Sequence, residues 1–301
     1  MEQTFYPLGF PLLLSTTSEA VMEIARNEWN RWFPIFDDAP VKLHIEVSSA
    51  ADQIPPTVIL HAHRHLFALV ADSENVFVFD TQSRVATGWV TRGAIEDAAW
   101  FRYHFLDAIV YQAIALLCFT PIHAACVARQ GRGVLLCGDS EAGKSSLAYA
   151  CARRGWTYVT DDGSYLIRRR ATERVVVGNP HQLRLRPDAA GFFPELADRR
   201  PVIRGNGKLS LEIWTESLPS IATAPIVAID RLIFLRRVAS GPAVLTPFDR
   251  EEARKWCERV FYWWDPNVAA EQQANLSDLL DAVEVQALEY SDLESATDAI
   301  D

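Results

Sequence analysis

Residues 133–146 read GVLLCGDSEAGKSS, and this stretch decides the fold. The residues up to Cys137 are apolar or small, as in a buried strand, and residues 138–145 match the pattern G-x-x-x-x-G-K-[ST] at every fixed position. Residues 144–154 favour a helix, which Gly155 is well placed to end. A strand, a glycine-rich loop and a helix in this order indicate a P-loop rather than a glycine-rich turn with an incidental Lys-Ser pair.

The fixed residues of this loop each suit one part of a bound triphosphate. Gly138 and Gly143 let the backbone turn and approach the phosphates without a Cβ in the way. Backbone N–H groups at the helix N-terminus point at the anion. Lys144 adds a point charge near the β- and γ-phosphates, and the Ser145 hydroxyl suits Mg²⁺. We therefore expect ATP, or another nucleoside triphosphate, to bind here together with Mg²⁺. The expected nucleotide-binding residues are Gly138, Asp139, Ser140, Glu141, Ala142, Gly143, Lys144, Ser145 and Ser146.

Two adjacent carboxylates follow the next expected strand. Asp161 and Asp162 come directly after residues 156–160, which are aromatic or β-branched. In an open α/β sheet, a carboxylate at the C-terminal end of a strand beside the P-loop strand can face the γ-phosphate. One carboxylate can then bind Mg²⁺ through water, and the other can accept a proton from an acceptor hydroxyl. A solvated Asp-Asp-Gly turn is the alternative.

The composition indicates an ordinary globular protein. Hydrophobic residues make up 49% and charged residues 23% of the 301 residues. The formal net charge of −10 argues against nucleic-acid binding and against an anionic membrane surface, since both need a surplus of Lys and Arg. The five cysteines include no CxxC pair, and the first residues lack the basic region of a signal peptide. We therefore expect reduced thiols in a cytoplasmic protein that has no membrane span.

A change of pattern near residue 120 divides the chain. Residues 1–120 are expected to form an α+β region of unknown role, and residues 121–301 an α/β P-loop domain with C-terminal helices. The acidic tail, residues 289–301, is expected to be frayed or disordered. Helices are expected at 18–32, 94–118, 249–264 and 271–288. Further strands are expected at 41–47, 58–71, 75–80, 122–128, 165–168, 175–178, 208–213 and 231–235.

Several short segments together resemble HPr serine kinase/phosphorylase in order and spacing. They are Ile-His-Ala-Ala at 122–125, the strand at 133–137, the P-loop, Arg154-Gly155 and Thr160-Asp161-Asp162. The resemblance is clearest over residues 121–166 and extends more weakly to about residue 236. It implies an α/β P-loop fold of the HPr kinase and phosphoenolpyruvate carboxykinase type, and a phosphotransferase activity.

The resemblance also implies roles for individual residues. Asp162 matches the family's catalytic carboxylate, which takes the proton from the acceptor serine. His123 matches a histidine close to that carboxylate, with a hydrogen-bonded histidine in a buried strand as the alternative. Lys144 acts on the phosphates during transfer, while Ser145 and Asp161 are the expected metal-binding residues.

One segment departs from the family pattern. In GNPHQLRLR at 178–186, Arg184 matches the family's arginine and is a candidate contact for phosphate or acceptor, but Gln182 replaces the metal-binding glutamate. HPr itself and phosphorylase activity are therefore not implied. We expect a kinase that acts on a hydroxyl of a protein, a peptide or a small molecule, and that forms a homo-oligomer as relatives do. The alternatives are a nucleotide-binding regulatory protein with little catalysis, and a phosphatase or phosphorylase that uses the site in reverse.

Three further patterns have weaker functional interpretations. His61, His63 and His65 alternate and would share one face of a strand, which permits a zinc site. Asp230 follows an apolar run and is placed to mimic the metal-binding acid of other P-loop enzymes. The aromatic residues between 256 and 264 favour packing or an interface over cofactor stacking.

Overall fold

The computed structural model describes residues 1–49, 57–168, 173–205, 207–218 and 221–301. The chain packs as two compact units. The first comprises Met1–Leu117, Ile203–Lys208 and Tyr262–Val268, and the second comprises Cys118–Val202, Leu209–Phe261 and Ala269–Asp301.

The first unit is built on a sheet flanked by helices. Its strands are β1 (Glu2–Phe5), β2 (Leu12–Thr16), β3 (Val41–Ser48), β4 (Ile59–His63), β5 (Leu66–Val70), β6 (Val76–Asp80) and β7 (Val85–Thr91). Its helices are α1 (Glu19–Trp29), α2 (Arg92–Glu96), α3 (Ala98–Phe101) and α4 (Asp107–Cys118), with a π-helical turn at Arg102–Leu106. Within the described residues the strand order is β1-β2-β3-β7-β6-β5-β4.

Local sequence signals explain the early elements of this unit. The Ser18 hydroxyl accepts a hydrogen bond from the Val21 amide and so caps α1, which confirms the helix expected there. The alternation of VKLHIEV gives β3, with Val41, Leu43 and Ile45 buried on one face.

Two elements predicted as continuous in this unit are each divided, one by a turn residue and the other by a helix-capping residue. The strand expected at 58–71 is a hairpin, because Arg64 adopts a φ of 52° and the chain reverses there. His65 therefore lies outside the strand that holds His61 and His63. The long helix expected at 94–118 is interrupted at Asp97, whose carboxylate accepts from the Trp100 amide at 3.0 Å and starts a new helix.

The remaining elements follow along the chain. The strands are β8 (Phe119–Ile122), β9 (Ala125–Arg129), β10 (Arg132–Cys137), β11 (Thr157–Thr160), β12 (Ser164–Ile167), β13 (Val175–Gly178), β14 (Gln182–Leu185), β15 (Val202–Ile203), β16 (Leu209–Trp214), β17 (Ala222–Thr223), β18 (Ile226–Arg237), β19 (Val244–Pro247) and β20 (Glu284–Tyr290). The helices are α5 (Lys144–Arg153), α6 (Arg250–Cys257), α7 (Pro266–Ala282) and α8 (Leu293–Ile300).

The P-loop strand β10 lies inside a mixed sheet in the second unit. The order is β17-β11-β9-β10-β18-β13-β12-β8, and β20 pairs with both β18 and β19. Strand β9 is antiparallel to β10 and to β11, so β10 and β11 run in the same direction. Their carboxyl ends, Cys137 and Thr160, therefore lie at the same edge as the start of β9. This mixed α/β arrangement therefore brings three segments together at one edge: the one after β10, the one after β11 and the one before β9.

Both faces of this sheet are covered. Because successive side chains of a strand point to opposite faces, Val134 and Leu136 join one core and Leu135 and Cys137 the other. The first core includes residues of α5 and α8, and the second includes residues of α6 and α7. Each fully buried leucine contributes roughly 2 kcal/mol of hydrophobic stabilisation. Packing on both faces of the sheet therefore stabilises β10.

The C-terminal region differs from the sequence-based expectation. Residues 284–288, expected to end a helix, form part of β20, and helix α6 ends at Cys257 rather than near residue 264. The acidic tail is ordered as α8, because the Asp292 carboxylate caps it at the Ser295 amide (2.8 Å) and Ala296 and Ile300 are fully buried. The prediction of disorder rested on the acidic composition of the tail and overlooked Ala296 and Ile300, an apolar pair with the i, i+4 spacing of a helix.

The cysteines behave as small core residues. Cys118, Cys126, Cys137, Cys151 and Cys257 are free and buried. Burial raises the pKa of the Cys151 and Cys257 thiols to about 12, so they stay protonated. In the part of the chain that the structure describes, helices are too short or too polar to cross a membrane.

Candidate active site

The P-loop connects β10 to α5 at the carboxyl edge of the sheet. Gly138 and Gly143 have φ values of 142° and 95°, which residues with a Cβ rarely adopt. A Cβ at Gly138 would also lie 2.9 Å from Ala142 Cβ. Gly143 is the N-cap of α5 and brings no side chain to bond the first amides of the helix. The loop is therefore tightly turned, and the positive end of α5 is open to an anion.

Lys144 and Ser145 lie on the first turn of α5. The Lys144 ammonium donates to the carbonyl oxygens of Gly138 (2.7 Å) and Asp139 (3.2 Å), and its side chain is buried. The Ser145 hydroxyl donates to the carbonyl oxygen of Asp161 at 3.2 Å. These bonds hold both groups at the loop, where a phosphate oxygen can replace a carbonyl as the partner of the ammonium.

Tyr290, the last residue of β20, hydrogen-bonds to the P-loop from a neighbouring part of the sheet. Its hydroxyl donates to the carbonyl oxygen of Ala142 at 2.6 Å, and the residue is only 1% exposed. Burial raises the pKa of Tyr290 to about 12, so the hydroxyl remains protonated and able to donate. Sequence reasoning missed this residue, because it lies 148 positions from its partner and no local pattern marks it.

His123 and Asp162 form a pair at the same edge. The Nδ1 atom of His123 lies 3.2 Å from Oδ1 of Asp162, and both side chains are 45% exposed. His123 precedes β9 in a tight bend in which the Ala124 amide donates to the carbonyl oxygen of Ile122. The ring of Trp256 stacks on His123 with a centroid distance of 6.3 Å. The carboxylate of Asp162 is thus oriented by an imidazole and still open to solvent, as a proton acceptor requires.

Asp161 points the other way, into the protein. Its Oδ2 accepts from the Arg184 amide (3.0 Å) and its Oδ1 from the Tyr158 hydroxyl (3.2 Å), and the residue is 4% exposed. Burial raises the pKa of Asp161 to about 6, against the lowering effect of the Arg184 charge. Both carboxylate oxygens are therefore engaged by interior donors. The metal-binding role expected for Asp161 does not fit this arrangement, and Asp162 is the exposed carboxylate of the two.

Gln182 and Arg184 project from β14 beside Asp161. The guanidinium of Arg184 donates to Oε1 of the buried Gln182, and its Nε lies 3.8 Å from Oε1 of Glu212. Gln182, which stands where the family has a glutamate, thus orients Arg184 through a neutral side-chain oxygen. The Arg184 side chain is 22% exposed, and its expected contact with a phosphate or acceptor stays a prediction.

The two acidic side chains of the loop are held by arginines from other elements. The Asp139 carboxylate accepts from Arg259 Nη1 (3.1 Å) and from Trp256 Nε1 (3.3 Å). The Glu141 carboxylate accepts from Arg186 Nη2 (2.6 Å). Because these pairs are exposed, each contributes only about 0–1 kcal/mol to stability. They connect the loop to Arg259 and Arg186, and each of these positive charges is matched by a carboxylate of the loop. The sequence favoured packing or an interface for the aromatic run that contains Trp256. The signal for its contact with the loop is the spacing of three residues, about one helical turn, between Trp256 and Arg259.

Two weaker candidates lie outside this edge. Asp230 sits in a bulge of β18 beside the start of β10, where Arg132 Nε lies 3.8 Å from its carboxylate. This is the end of β10 opposite the P-loop, so the proposed metal-binding role of Asp230 is wrong. Among the described residues, including the strand of His61 and His63, no group of three or more His, Cys, Asp or Glu side chains could hold a metal ion.

Comparisons with known proteins give a limited similarity. No family model matches the chain, and no curated protein matches it. One solved structure that resembles it is the HPr(Ser) kinase/phosphatase from Coxiella burnetii, at 13% sequence identity and a TM-score of 0.31. The match covers 60% of this chain and 93% of that one. Similarity at this level is a distant structural relationship and carries no information about substrate or reaction.

Proposed function

We propose that the protein is an ATP- and Mg²⁺-dependent kinase that transfers a γ-phosphoryl group to a hydroxyl of a protein, a peptide or a small molecule. The observation that supports this most is the His123–Asp162 pair at the sheet edge that carries the P-loop. Nucleotide binding by the loop does not require a nearby exposed carboxylate that is oriented by an imidazole. A kinase uses such a group to accept the proton of the attacking hydroxyl.

The proposed transfer is an in-line displacement. The acceptor oxygen forms a bond to the γ-phosphorus while the bond from that phosphorus to the bridging oxygen of ADP breaks. The proton of the acceptor hydroxyl passes to Asp162, and His123 orients this carboxylate. Lys144 and the amides of α5 stabilise the negative charge that develops on the phosphate oxygens. Positioning and electrostatics supply most of the rate.

Mg²⁺ fits this edge with one change from the expected ligands. The ion usually keeps several waters and uses one or two protein oxygens together with substrate phosphates. The Ser145 hydroxyl would bind the ion directly, and the Asp162 carboxylate would bind it through a water molecule. Asp161 would instead anchor Ser145 through its carbonyl oxygen. When bound, the ion neutralises charge on the β- and γ-phosphate oxygens.

The test is ADP formation from γ-labelled ATP with Mg²⁺ and a panel of acceptors: water, glycerol, free serine and serine-containing peptides. We expect an acceptor-dependent rate in the wild type that Asp162→Asn abolishes without changing ATP affinity. Asp198→Asn, at an exposed carboxylate outside the segments that form the site, is the matched control and keeps the rate. Tight ATP binding with no ADP formed from any acceptor would contradict the kinase proposal.

The contact between Gln182 and Arg184 favours a second candidate, a nucleotide-binding regulatory protein with weak catalysis. An amide here leaves the site with one negative charge fewer for a divalent cation than a glutamate would give. Gln182→Glu distinguishes the two. A rise in turnover from a near-zero background supports the regulatory candidate, whereas a robust wild-type rate excludes it.

A further inference from the structure

The strand beside the P-loop strand ends in two arginines. Strand β18 runs parallel to β10, and Phe234 pairs with Cys137, the last residue before the loop. Arg236 and Arg237 therefore extend beyond the beginning of the P-loop, at the same edge of the sheet. This edge of the sheet therefore carries two positive side chains next to the P-loop.

The two arginines have different surroundings. Successive side chains of a strand point to opposite faces. Arg236 is paired, with its Nη1 atom 2.9 Å from Oε1 of Glu289. In the described parts of the chain, no hydrogen bond or ion pair involves the guanidinium of Arg237, which is exposed. Among the described residues, therefore, one of the two charges is matched by a carboxylate and the other is not.

Arg237 is also close to the second glycine of the loop. It pairs in register with Tyr290, whose hydroxyl bonds the loop at Ala142. Its Cδ lies 3.7 Å from the point that a Cβ at Gly143 would occupy. Arg237 also lies close enough to Tyr290 for its positive charge to oppose the rise that burial causes in the pKa of Tyr290. Its stem thus passes the loop at the residue that precedes Lys144.

We propose that Arg237 is a phosphate-binding residue of the nucleotide site, reaching the phosphates from the β18 side. This inference rests on the proposed nucleotide site. His123 and Asp162 belong to the β9 and β11 side of β10, so Arg237 approaches from the other flank. A guanidinium forms two parallel hydrogen bonds to a phosphate, and an exposed, unmatched one loses no protein partner when it does so.

The experiment compares Arg237→Gln with Arg236→Gln, a neighbouring arginine that already has a carboxylate partner. Calorimetric titrations use Mg-ATP, Mg-ADP and inorganic pyrophosphate with Mg²⁺. We expect Arg237→Gln to weaken all three about three- to tenfold, as for an exposed charge-assisted contact, and Arg236→Gln to leave them within about twofold. Arg237→Lys keeps the charge but loses the paired geometry, and we expect an intermediate affinity.

Each outcome decides the matter. Equal losses in the two glutamine variants would show a general effect of charge and overturn the role of Arg237. A loss for ATP without a loss for pyrophosphate would place Arg237 against the nucleoside and overturn the phosphate assignment. Binding that Lys144→Ala abolishes but Arg237→Gln does not change would overturn this inference alone. A wild type that binds none of the three ligands would overturn the nucleotide site as well.

Discussion

The hydroxyl of Tyr290 occupies the space into which any side chain at Gly143 would extend. A Cβ at Gly143 would lie 2.1 Å from this oxygen, which donates to the carbonyl oxygen of the preceding residue at 2.6 Å. The shape of the P-loop is thus set by β20 as well as by the loop's own glycines. The hydroxyl and the glycine are complementary, and each limits what the other position can hold.

This complementarity predicts a non-additive pair of substitutions. Gly143→Ala should abolish most Mg-ATP binding, because the new methyl group would clash with the Tyr290 hydroxyl and because alanine is strained at the positive φ of residue 143. Tyr290→Phe alone should weaken binding only a few-fold, since it removes one hydrogen bond worth about 1 kcal/mol. In the double variant the new methyl group meets the ring carbon Cζ at 3.4 Å, an ordinary contact. We expect the double variant to bind Mg-ATP more tightly than Gly143→Ala does, as measured by calorimetry.

A control separates the clash from the backbone strain. Gly155 has a φ of 86°, and a Cβ there meets nothing within 4 Å. Gly155→Ala should therefore cost only the strain, about 1–2 kcal/mol of unfolding free energy, and Tyr290→Phe should not change that cost. Strictly additive effects of Gly143→Ala and Tyr290→Phe would contradict the proposed complementarity.

A second prediction concerns His123 as a positioning residue. His123→Ala should lower kcat for ADP formation about tenfold or more while the KM for ATP stays nearly constant, because it removes the group that orients Asp162. His123→Gln, whose amide can still donate to the carboxylate, should recover part of the rate. Steady-state kinetics with water or glycerol as acceptor give both values. A change in KM alone would assign His123 to binding instead.

A third prediction follows from the buried carboxylate of Asp161. Its pKa in the folded protein is about 6, above the ordinary value of 3.8, so the folded state holds this proton more tightly than the unfolded state. Stability from this group is present at pH 4 and is lost as the pH rises through 6. We expect the unfolding free energy of the wild type, relative to Asp161→Asn, to fall by on the order of 1–3 kcal/mol between pH 4 and 7. Urea unfolding at several pH values measures this difference, and a difference independent of pH would contradict the raised pKa.

Local sequence signals were enough to predict the centre of the second unit. The strand, loop and helix around Gly138 and Lys144 depend on neighbouring residues, as do the cap of α1 and the alternation of β3. Contacts between distant strands were not predictable in this way. Tyr290 and Arg237 reach the loop because β18 and β20 pair in parallel, and no local pattern encodes that pairing. Likewise, the outward direction of Asp162 and the inward direction of Asp161 depend on Tyr158 and Arg184.

The ordered tail gives a fourth prediction. Ile300 is fully buried against the core that includes α5, so Ile300→Ala should cost about 2–4 kcal/mol of unfolding free energy. Glu294→Ala, at an exposed position of the same helix, should change it by less than about 0.5 kcal/mol. Urea denaturation measures both. Equal and negligible effects would indicate that α8 does not pack on the sheet.

The most direct test of the central claim is a calorimetric titration of Mg-ATP into the wild type and into Lys144→Ala. The proposed nucleotide site predicts saturable binding at one site in the wild type and a loss of at least about tenfold in affinity in the variant, because the ammonium is the main protein charge on the phosphates. Absence of binding to the wild type, or equal binding to both proteins, would contradict the assignment of residues 138–146 as a nucleotide-binding loop.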